Sequence, residues 1–566
     1  MKNLLREEFM ELTRITSLSQ LDQYRDDWSL ILEENQNTNP FIEFVWVYEW
    51  WKHFGDEYNM EIMLVKQDDR PIGFFPFTHK RSWLSHTYTF MALGHASYMD
   101  FVVFNHLAED VIEFVFDEIL KAKKNVVFYL YGLLESSKTP RIVENYLQQR
   151  KIVFSLHRVI TPYLNLIDIE LEKYADKRRR LYRPNKREKR LRENGEVKFS
   201  RSGQEEMEMV FHLHDKRWKK KRDTSGFTND KDKEFYRSLA GIQEGPMQTQ
   251  LDALYINDTM IAFHYGFKCR GRVLSYTLGF DDNFEQFAPG RILEREKILQ
   301  CKKDEITVFD LSIGYEPYKF ALNTNVDYTR KMIFSSSTMT AKIKRSLFSM
   351  KESLIERLKK NYEFVLFIRI TMGKFLFVLR NLFNTTESNG ARGEIKAFLT
   401  RLKKYLYEKE RYIVYRMEKN DLPVVANAQD FIGLTLNEAM NSPAISQEHL
   451  KEICEKMYRG YKGYYPDGSL AIENIIWLND KVLRIGPISY SERLERKAIH
   501  FKNWHEGNLE AACSFVKKKS KAKTVFVTVK DGSENELSVL ETKGFSICKK
   551  IYKRTIFGNE KYEIFE

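Results

Sequence analysis

The stretch YTLGFDDNFEQFAPGRILEREKIL, residues 276–299, decides how this chain folds. Val273–Phe280 reads as a strand, Ala-Pro-Gly closes the turn, and Arg291–Cys301 carries helical text behind it. A strand running through a turn into a helix leaves backbone N–H groups free at the helix start. Those groups, with the helix dipole, suit an anion. Gly290 permits close backbone approach, and Arg291 adds a positive charge. An ordinary glycine-containing turn would read the same way.

The surrounding text repeats this grammar. Upstream, Leu251–Ile256 and Met260–Lys268 flank Asn257-Asp258, a pair that tolerates positive φ and predicts a hairpin. Met207–Lys219 reads as a helix and Thr307–Leu311 as a strand. Earlier, Glu61–Lys66 and Pro71–Thr78 pair around Gln67–Arg70, Asp110–Ala122 is helical, and Asn125–Tyr131 is a buried strand. From about residue 401 a third round begins. Its strands are expected at Leu470–Leu478, Val482–Ser489, Lys497–Phe501 and Thr524–Val529, and its helices at Asn508–Lys518 and Glu534–Thr542. The fold class is therefore α/β, with mixed sheets flanked by helices. The expected domains are 1–170, 171–335 and 401–566, with 336–400 a basic helical connector.

Composition supports several cores: 566 residues, 43% hydrophobic and 14% aromatic, exceed what one domain holds. Five cysteines (269, 301, 454, 513 and 548) form no CxxC pair, which reads as reduced thiols in a cytoplasmic protein. A net charge of +12 favours anionic partners without choosing among them. The N-terminal MKNLLREEFMELTR lacks the apolar core of a secretory signal.

Two tracts bear on membranes and nucleic acid. Tyr362–Phe383 is long enough to span a bilayer, but Arg369, Lys374 and Arg380 recur along it. Each would cost roughly 2.5–3.5 kcal/mol near the bilayer centre. Packing on a domain or partner is the preferred reading, with peripheral contact at the inner face of the membrane through 342–383 as the alternative. Lys177–Arg192 holds ten Lys or Arg against one Glu. It reads as a solvated face beside a domain boundary or as an anion-binding arm. Tyr182 is the lone aromatic among these residues, so base stacking is poorly supported and nucleic acid is an unfavoured partner.

Six stretches together resemble the CelD-type acetyltransferases of cellulose and exopolysaccharide biosynthesis, a branch of the GNAT superfamily close to the Fem-type folds. They are NPFIEFVWVYEWWKHFG (39–55), ASYMDFVV (96–103), LHDKRW (213–218), IAFHYGF (261–267), FDDNFEQFAPGRIL (280–293) and FDLSIGYEPYKF (309–320). A further GNAT resemblance lies in TVFVTVKDGSENELSVLETKGF (524–545), with Gly544 as the helix-ending glycine. The usual glycine-rich pyrophosphate loop is missing upstream of it. KNWHEGNLEAAC (502–513) stands there, which points to a divergent third site.

The resemblance implies tandem GNAT-like units and acyl transfer from acyl-CoA, acetyl-CoA first, to a sugar, nucleotide-sugar or glycan-precursor acceptor. Such chemistry positions the acceptor against a thioester and removes a proton. The candidates for proton transfer are Asp281, His264, Asp310 and Tyr318, and those for holding the coenzyme are Gly290, Arg291 and Lys319. Asp100 and Glu316 are substrate-binding candidates, Asp100 because SYMDF would face a cleft between units. A lone strand histidine such as His264 also reads as a core residue. No zinc spacing, Ser-His-Asp arrangement, Walker loop or Rossmann fingerprint is present, so no metal is expected and hydrolases, NTPases and nicotinamide enzymes drop out. The alternatives are a Fem-like aminoacyl transferase using charged tRNA and a non-catalytic scaffold.

Overall fold

The computed structural model describes residues 10–167, 169, 186–218, 227, 229–360, 407–425, 430–468, 470–485, 490–556 and 559–566. Tyr362–Phe383 and most of the basic tract before residue 186 lie outside these residues.

The first unit runs β1 (Met10–Ile15), α1 (Arg25–Glu34), α2 (Phe44–Phe54), β2 (Met60–Gln67), β3 (Arg70–Arg81), β4 (His86–Phe90), α3 (Ala108–Ala122), β5 (Val126–Leu134), α4 (Thr139–Gln149) and β6 (Phe154–Asn165). The second opens with α5 (Lys186–Arg192), β7 (Val197–Ser202), α6 (Met207–Trp218) and α7 (Asp230–Ala240). It continues through β8 (Met247–Ile256), β9 (Thr259–Cys269), β10 (Arg272–Phe280), α8 (Pro289–Lys303), β11 (Val308–Asp310), α9 (Pro317–Leu322) and β12 (Asn325–Ser335). Helix α10 (Met339–Lys360) follows. The third unit comprises β13 (Tyr407–Glu418), β14 (Phe431–Gly433), α11 (Leu436–Asn441), α12 (Gln447–Tyr458), β15 (Lys462–Pro466) and β16 (Ile476–Asn479). It ends with β17 (Ala498–Lys502), α13 (Glu506–Lys519), β18 (Thr524–Lys530), α14 (Glu534–Thr542), β19 (Ser546–Ile556) and β20 (Asn559–Phe565).

Local chemistry explains many of these elements. Asn257 and Asp258 sit at φ 47° and 65°, and Asp68 and Asp69 at 50° and 64°, so both hairpins turn through two left-handed residues. In α3, Val111, Ile112, Val115, Phe116 and Ile119 share the buried face, with Glu109 and Asp110 in the first turn. Gly544 closes α14 at φ 90°. The third unit departs from expectation at two strands. Within 470–478 a short turn occupies Ile472–Asn474 and the strand starts only at Ile476. Val482–Arg484 is a three-residue strand in a hairpin with Ser491–Arg493, off the main sheet.

The first two units share one sheet. Its order is β1-β2-β3-β4-β5-β12-β6-β11-β10-β9-β8-β7, with the short Val102–Val103 strand beside β3. The order is palindromic about β12 and β6. Each unit's last strand lies beyond the other's, β12 against β5 and β6 against β11. The parallel pairs β4–β5 and β10–β11 occupy mirror positions. In the third unit, β14-β15-β16-β17-β18-β13-β19-β20, the unit's own first strand, β13, fills the place between β18 and β19. Periodicity cannot reveal either arrangement, because it specifies faces and not partners.

Every residue of β5 is buried. A chain ending at residue 170 would therefore expose the edge that β12 covers. Such a fragment is expected to lose cooperative thermal unfolding, read by far-UV circular dichroism, whereas a fragment spanning 1–360 retains it.

Helix α10, the start of the expected connector, is docked on this sheet. Ala341 is buried in its core, and Glu352 accepts from Tyr129 (2.8 Å) and pairs with Lys331 (2.6 Å). The second and third units also share a core, in which Phe284, Phe287, Ile292 and Leu293 pack with Leu450, Ile453, Met457 and Trp477.

Candidate active site

The palindrome creates two equivalent openings, one where each parallel pair diverges. In the second unit β10 and β11 pair only over Arg272–Leu274 and Val308–Asp310, and β10 then runs on to Phe280. The turn at 281–291 follows. Asp281 accepts from the Asn283 backbone N–H (2.9 Å) and pairs with Lys216 of LHDKRW at 2.8 Å. Phe284 and Phe287 between them are buried against α12 of the third unit. A Cβ on Gly290 would stand 2.9 Å from the Leu278 Cδ2 and 3.2 Å from the Phe280 Cδ1. The close approach that glycine permits is thus between α8 and β10. Arg291 is exposed.

The remaining candidates of this unit are scattered. His264 is fully buried, joined to the Ser275 hydroxyl at 2.8 Å and stacked on Phe309. Burial, with positive Lys297 nearby, pushes its pKa down to about 3, so the ring is neutral and shut away from solvent. Asp310 is also fully buried. It accepts from Arg272 Nε (2.9 Å) and Nη2 (2.6 Å), from Tyr98 (2.8 Å) and from the Ser312 backbone N–H (2.7 Å). Four donors fill the carboxylate's capacity, so Asp310 ties SYMDF of the first unit to β10 of the second. Tyr318 is 42% exposed.

Lys319 is buried, donating to the Ile313 carbonyl (2.7 Å) and pairing with Glu316 (3.2 Å). Lys319 and Arg291 lie close enough to act on Glu294, a residue the sequence reading missed. Burial pushes the Glu294 carboxyl up to about 8, and the two cations oppose that rise. A signal for Glu294 existed. Gly290, Leu293, Glu294, Lys297 and Cys301 share the buried stripe of α8, so the stripe carries two charged residues.

The equivalent opening of the first unit is built differently. After β4 and β5 part, the Met99 backbone N–H bonds the Gly132 carbonyl (3.1 Å), which lays SYMDF along β5. A cavity of about 330 Å³ lies at this end of β5, between the starts of α3 and α4. Its polar lining includes Asn37, Asn39, Asp100, Ser137, Lys138, Thr139 and, from the second unit, Arg272. Asp100 lines the cavity with some exposure and accepts from the Phe101 backbone N–H at 2.8 Å. Burial raises its carboxyl to about 6, against the hydrogen bonds of Thr139, Phe101 and Ser137. Lys138 and the N–H groups opening α4 bring positive charge to the lining, whereas the Arg272 guanidinium is taken up by Asp310. Among the described residues no group of three or more His, Cys, Asp or Glu is placed to hold a metal ion.

Residues 176–320 match the family model for the acetyltransferase (GNAT) domain, Acetyltransf_6. The chain contains a GNAT acetyltransferase domain. Comparison with curated proteins gives no match. Among solved structures, the chain is similar to FemX at 11% identity, covering 57% of this chain and 96% of that one, with a TM-score of 0.39. A tandem GNAT protein from the clavulanic acid biosynthesis pathway matches at 9% identity, 58% and 99% coverage and a TM-score of 0.34. A conserved protein of unknown function from Bacteroides thetaiotaomicron matches at 11% identity, 58% and 100% coverage and a TM-score of 0.39. The architecture is α/β, tandem GNAT-like units whose mixed sheets are flanked by helices. No helix among the described residues is long and apolar enough to cross a membrane.

Proposed function

We propose that the chain transfers an acyl group, acetyl first among the choices, from acyl-CoA to a hydroxyl or amine of a sugar, nucleotide-sugar or glycan precursor. The observation that carries this reading is the cavity beside Asp100, whose wall includes Arg272 of the GNAT domain. Its volume of about 330 Å³ falls within the usual range of small-ligand sites, roughly 300–1,000 Å³. Lys138 and the start of α4 suit coenzyme phosphates, so the lining fits the group. Acyl-CoA supplies a thioester carbonyl that needs no further activation than positioning and oxyanion support.

The rest falls to the chain. Asp100 takes the acceptor's proton as the acceptor oxygen or nitrogen bonds the acyl carbon. The C–S bond breaks and coenzyme A leaves as its thiolate, which takes up that proton. The base matters more for a hydroxyl acceptor. The Thr139 and Ser137 hydroxyls beside it temper the rise in the Asp100 pKa that burial causes. The 281–291 turn is the competing position, but it packs against the third unit, which leaves exposed Arg291 as its free contribution. The polysaccharide setting rests on the CelD-type resemblance, and a cytoplasmic location follows from the donor.

A thermal-shift series separates the readings. Acetyl-CoA and CoA are expected to raise the unfolding midpoint as their concentrations pass the dissociation constant. A rise with total tRNA alone would replace this reading by Fem-like aminoacyl transfer. No rise with either favours a scaffold.

A further inference from the structure

The third unit carries a cluster of cations that its own carboxylates do not balance. It lies on the face of β17 opposite α13. Ile499 and Phe501 point to α13, whereas His500 and Lys502 alternate to the side covered by α12. Around Lys502 stand Lys456 of α12, Arg459 at its C-terminal cap, Arg484 of the Val482–Arg484 strand and one carboxylate, Glu455, which is paired with Arg459. Arg190, the described end of the basic tract, joins them across Gly460. This glycine sits at φ 87°, and a Cβ on it would be 3.2 Å from the Arg190 Nη2.

Three of the five cations are paired on their own helices: Arg190 with Glu193 (2.8 Å), Lys456 with Glu452 (2.8 Å) and Arg459 with Glu455. Arg484 and Lys502 have no ion pair among the described residues. The Arg484 Nε is buried without a hydrogen-bond partner. The Lys502 Nζ sits 5.2 Å from the centre of the Tyr461 ring, and the Lys456 Nζ 5.0 Å from that of Trp477. Neighbouring His500 offers no charge. It is fully buried between Tyr461 (2.8 Å) and Thr528 (3.2 Å), and burial holds its pKa well below the ordinary value.

An uncompensated cation in such a place is unfavourable by itself. Burial first, then Lys456, Arg459 and Arg484, push the Lys502 pKa down to about 7, against the opposing pull of Glu455. A missing negative group would relieve this crowding of cations. Two unpaired cations call for a dianion more than a monocarboxylate, and an arginine beside a lysine suits phosphate oxygens. The side chains of Arg190, Lys456 and Arg459 are only 24%, 18% and 24% exposed, so the group must enter a recess.

We propose that Arg484 and Lys502, framed by Lys456, Arg459 and Arg190, form an anion site that takes the phosphoryl or pyrophosphoryl group of a phosphorylated ligand. Lys502 lies on the face of β17 away from α13, the helix that follows the third unit's divergent pyrophosphate turn. The third unit would then sense or hold a phosphorylated molecule in place of acyl-CoA.

The test titrates the full chain with pyrophosphate, inorganic phosphate and acetate by calorimetry at pH 6.5, with Lys502→Met and Arg484→Met beside the parent. Saturable pyrophosphate binding is expected, with acetate at least tenfold weaker and each variant losing at least tenfold in pyrophosphate affinity. Without phosphate, Lys502→Met is expected to melt higher than the parent, because it removes an unpaired, half-buried charge and keeps the stem. That last result distinguishes a ligand site from a structural lysine, whose loss lowers the midpoint. Unchanged pyrophosphate affinity in both variants, or no saturable binding by the parent of either pyrophosphate or anionic vesicles, overturns the proposal. If Arg484→Met fails to fold, Arg484→Lys serves, with the same tenfold criterion. Vesicles containing anionic phospholipid form the second arm: binding to them that depends on Lys502, with none to pyrophosphate, assigns the phosphoryl group to a lipid headgroup.

Discussion

Replacing Asp252 by alanine is expected to destabilise the chain by about 3–5 kcal/mol, the usual penalty for stranding a buried charge. Lys297 and Asp252 are both fully buried and form an ion pair between α8 and β8. The Lys297 Nζ also donates to Gln250 Oε1 at 2.5 Å, and Arg201 approaches Asp252 from the surface at 3.4 Å. In Asp252→Ala the lysine keeps one neutral partner and no counter-charge. The double variant Asp252→Leu/Lys297→Met removes both charges at similar volume. It should recover most of the loss, since replacing an intact buried pair by apolar groups is often neutral or stabilising. Urea denaturation measures the free energies, and hydrogen exchange at β8 and α8 assigns the transition to this unit. A shift below about 1 kcal/mol in Asp252→Ala would mean that the pair is not held as two buried charges.

How much of this was legible from sequence depends on whether the signal is local. The Asn257-Asp258 and Asp68-Asp69 turns, the α3 stripe and helix Glu534–Thr542 are written in adjacent residues, and the chain folds there as its text predicts. The exchange of β6 and β12 is not local, because a strand's alternation does not name its neighbour. Burial of the 281–291 turn was equally hidden: it depends on the apolar face of α12, more than a hundred residues on. Asp310 reads as a candidate base in FDLSIGYEPYKF, yet Tyr98 and Arg272 occupy its oxygens, and neither is near it in the chain. Asp100 is the opposite case. Its placement toward a cleft was expected, and SYMDF does line a cavity that reaches the second unit. Arg484 and Lys502 gave no warning, since a charged residue in sequence is ordinarily read as solvated.

Asp100→Asn is expected to lower the acyl-transfer rate by about 10²–10⁴-fold, the range for loss of a general base. The variant keeps the shape of the side chain and its hydrogen bonds to Phe101 and the α4 start, so the loss should fall on kcat more than on KM. The pH dependence gives the sharper test. Only the carboxylate can take a proton, and burial raises this carboxyl from 3.8 to about 6. In the parent, kcat/KM should climb through pH 6 to a plateau above it, and Asp100→Asn should lose that limb. Stability must move the other way. Between pH 3.8 and 6 the folded chain holds more protons at Asp100 than the unfolded chain, so its contribution to stability falls as pH rises through that window. Above pH 6 the parent keeps a buried carboxylate that asparagine does not impose. Asp100→Asn should therefore melt higher than the parent at pH 7.5 and alongside it near pH 4. A variant both slower and more stable at neutral pH is the mark of a group retained for chemistry, as strained functional residues are. If Asp100→Asn is slower but less stable at pH 7.5, the carboxylate is structural and the proton acceptor must be sought elsewhere, Glu294 of the second unit first.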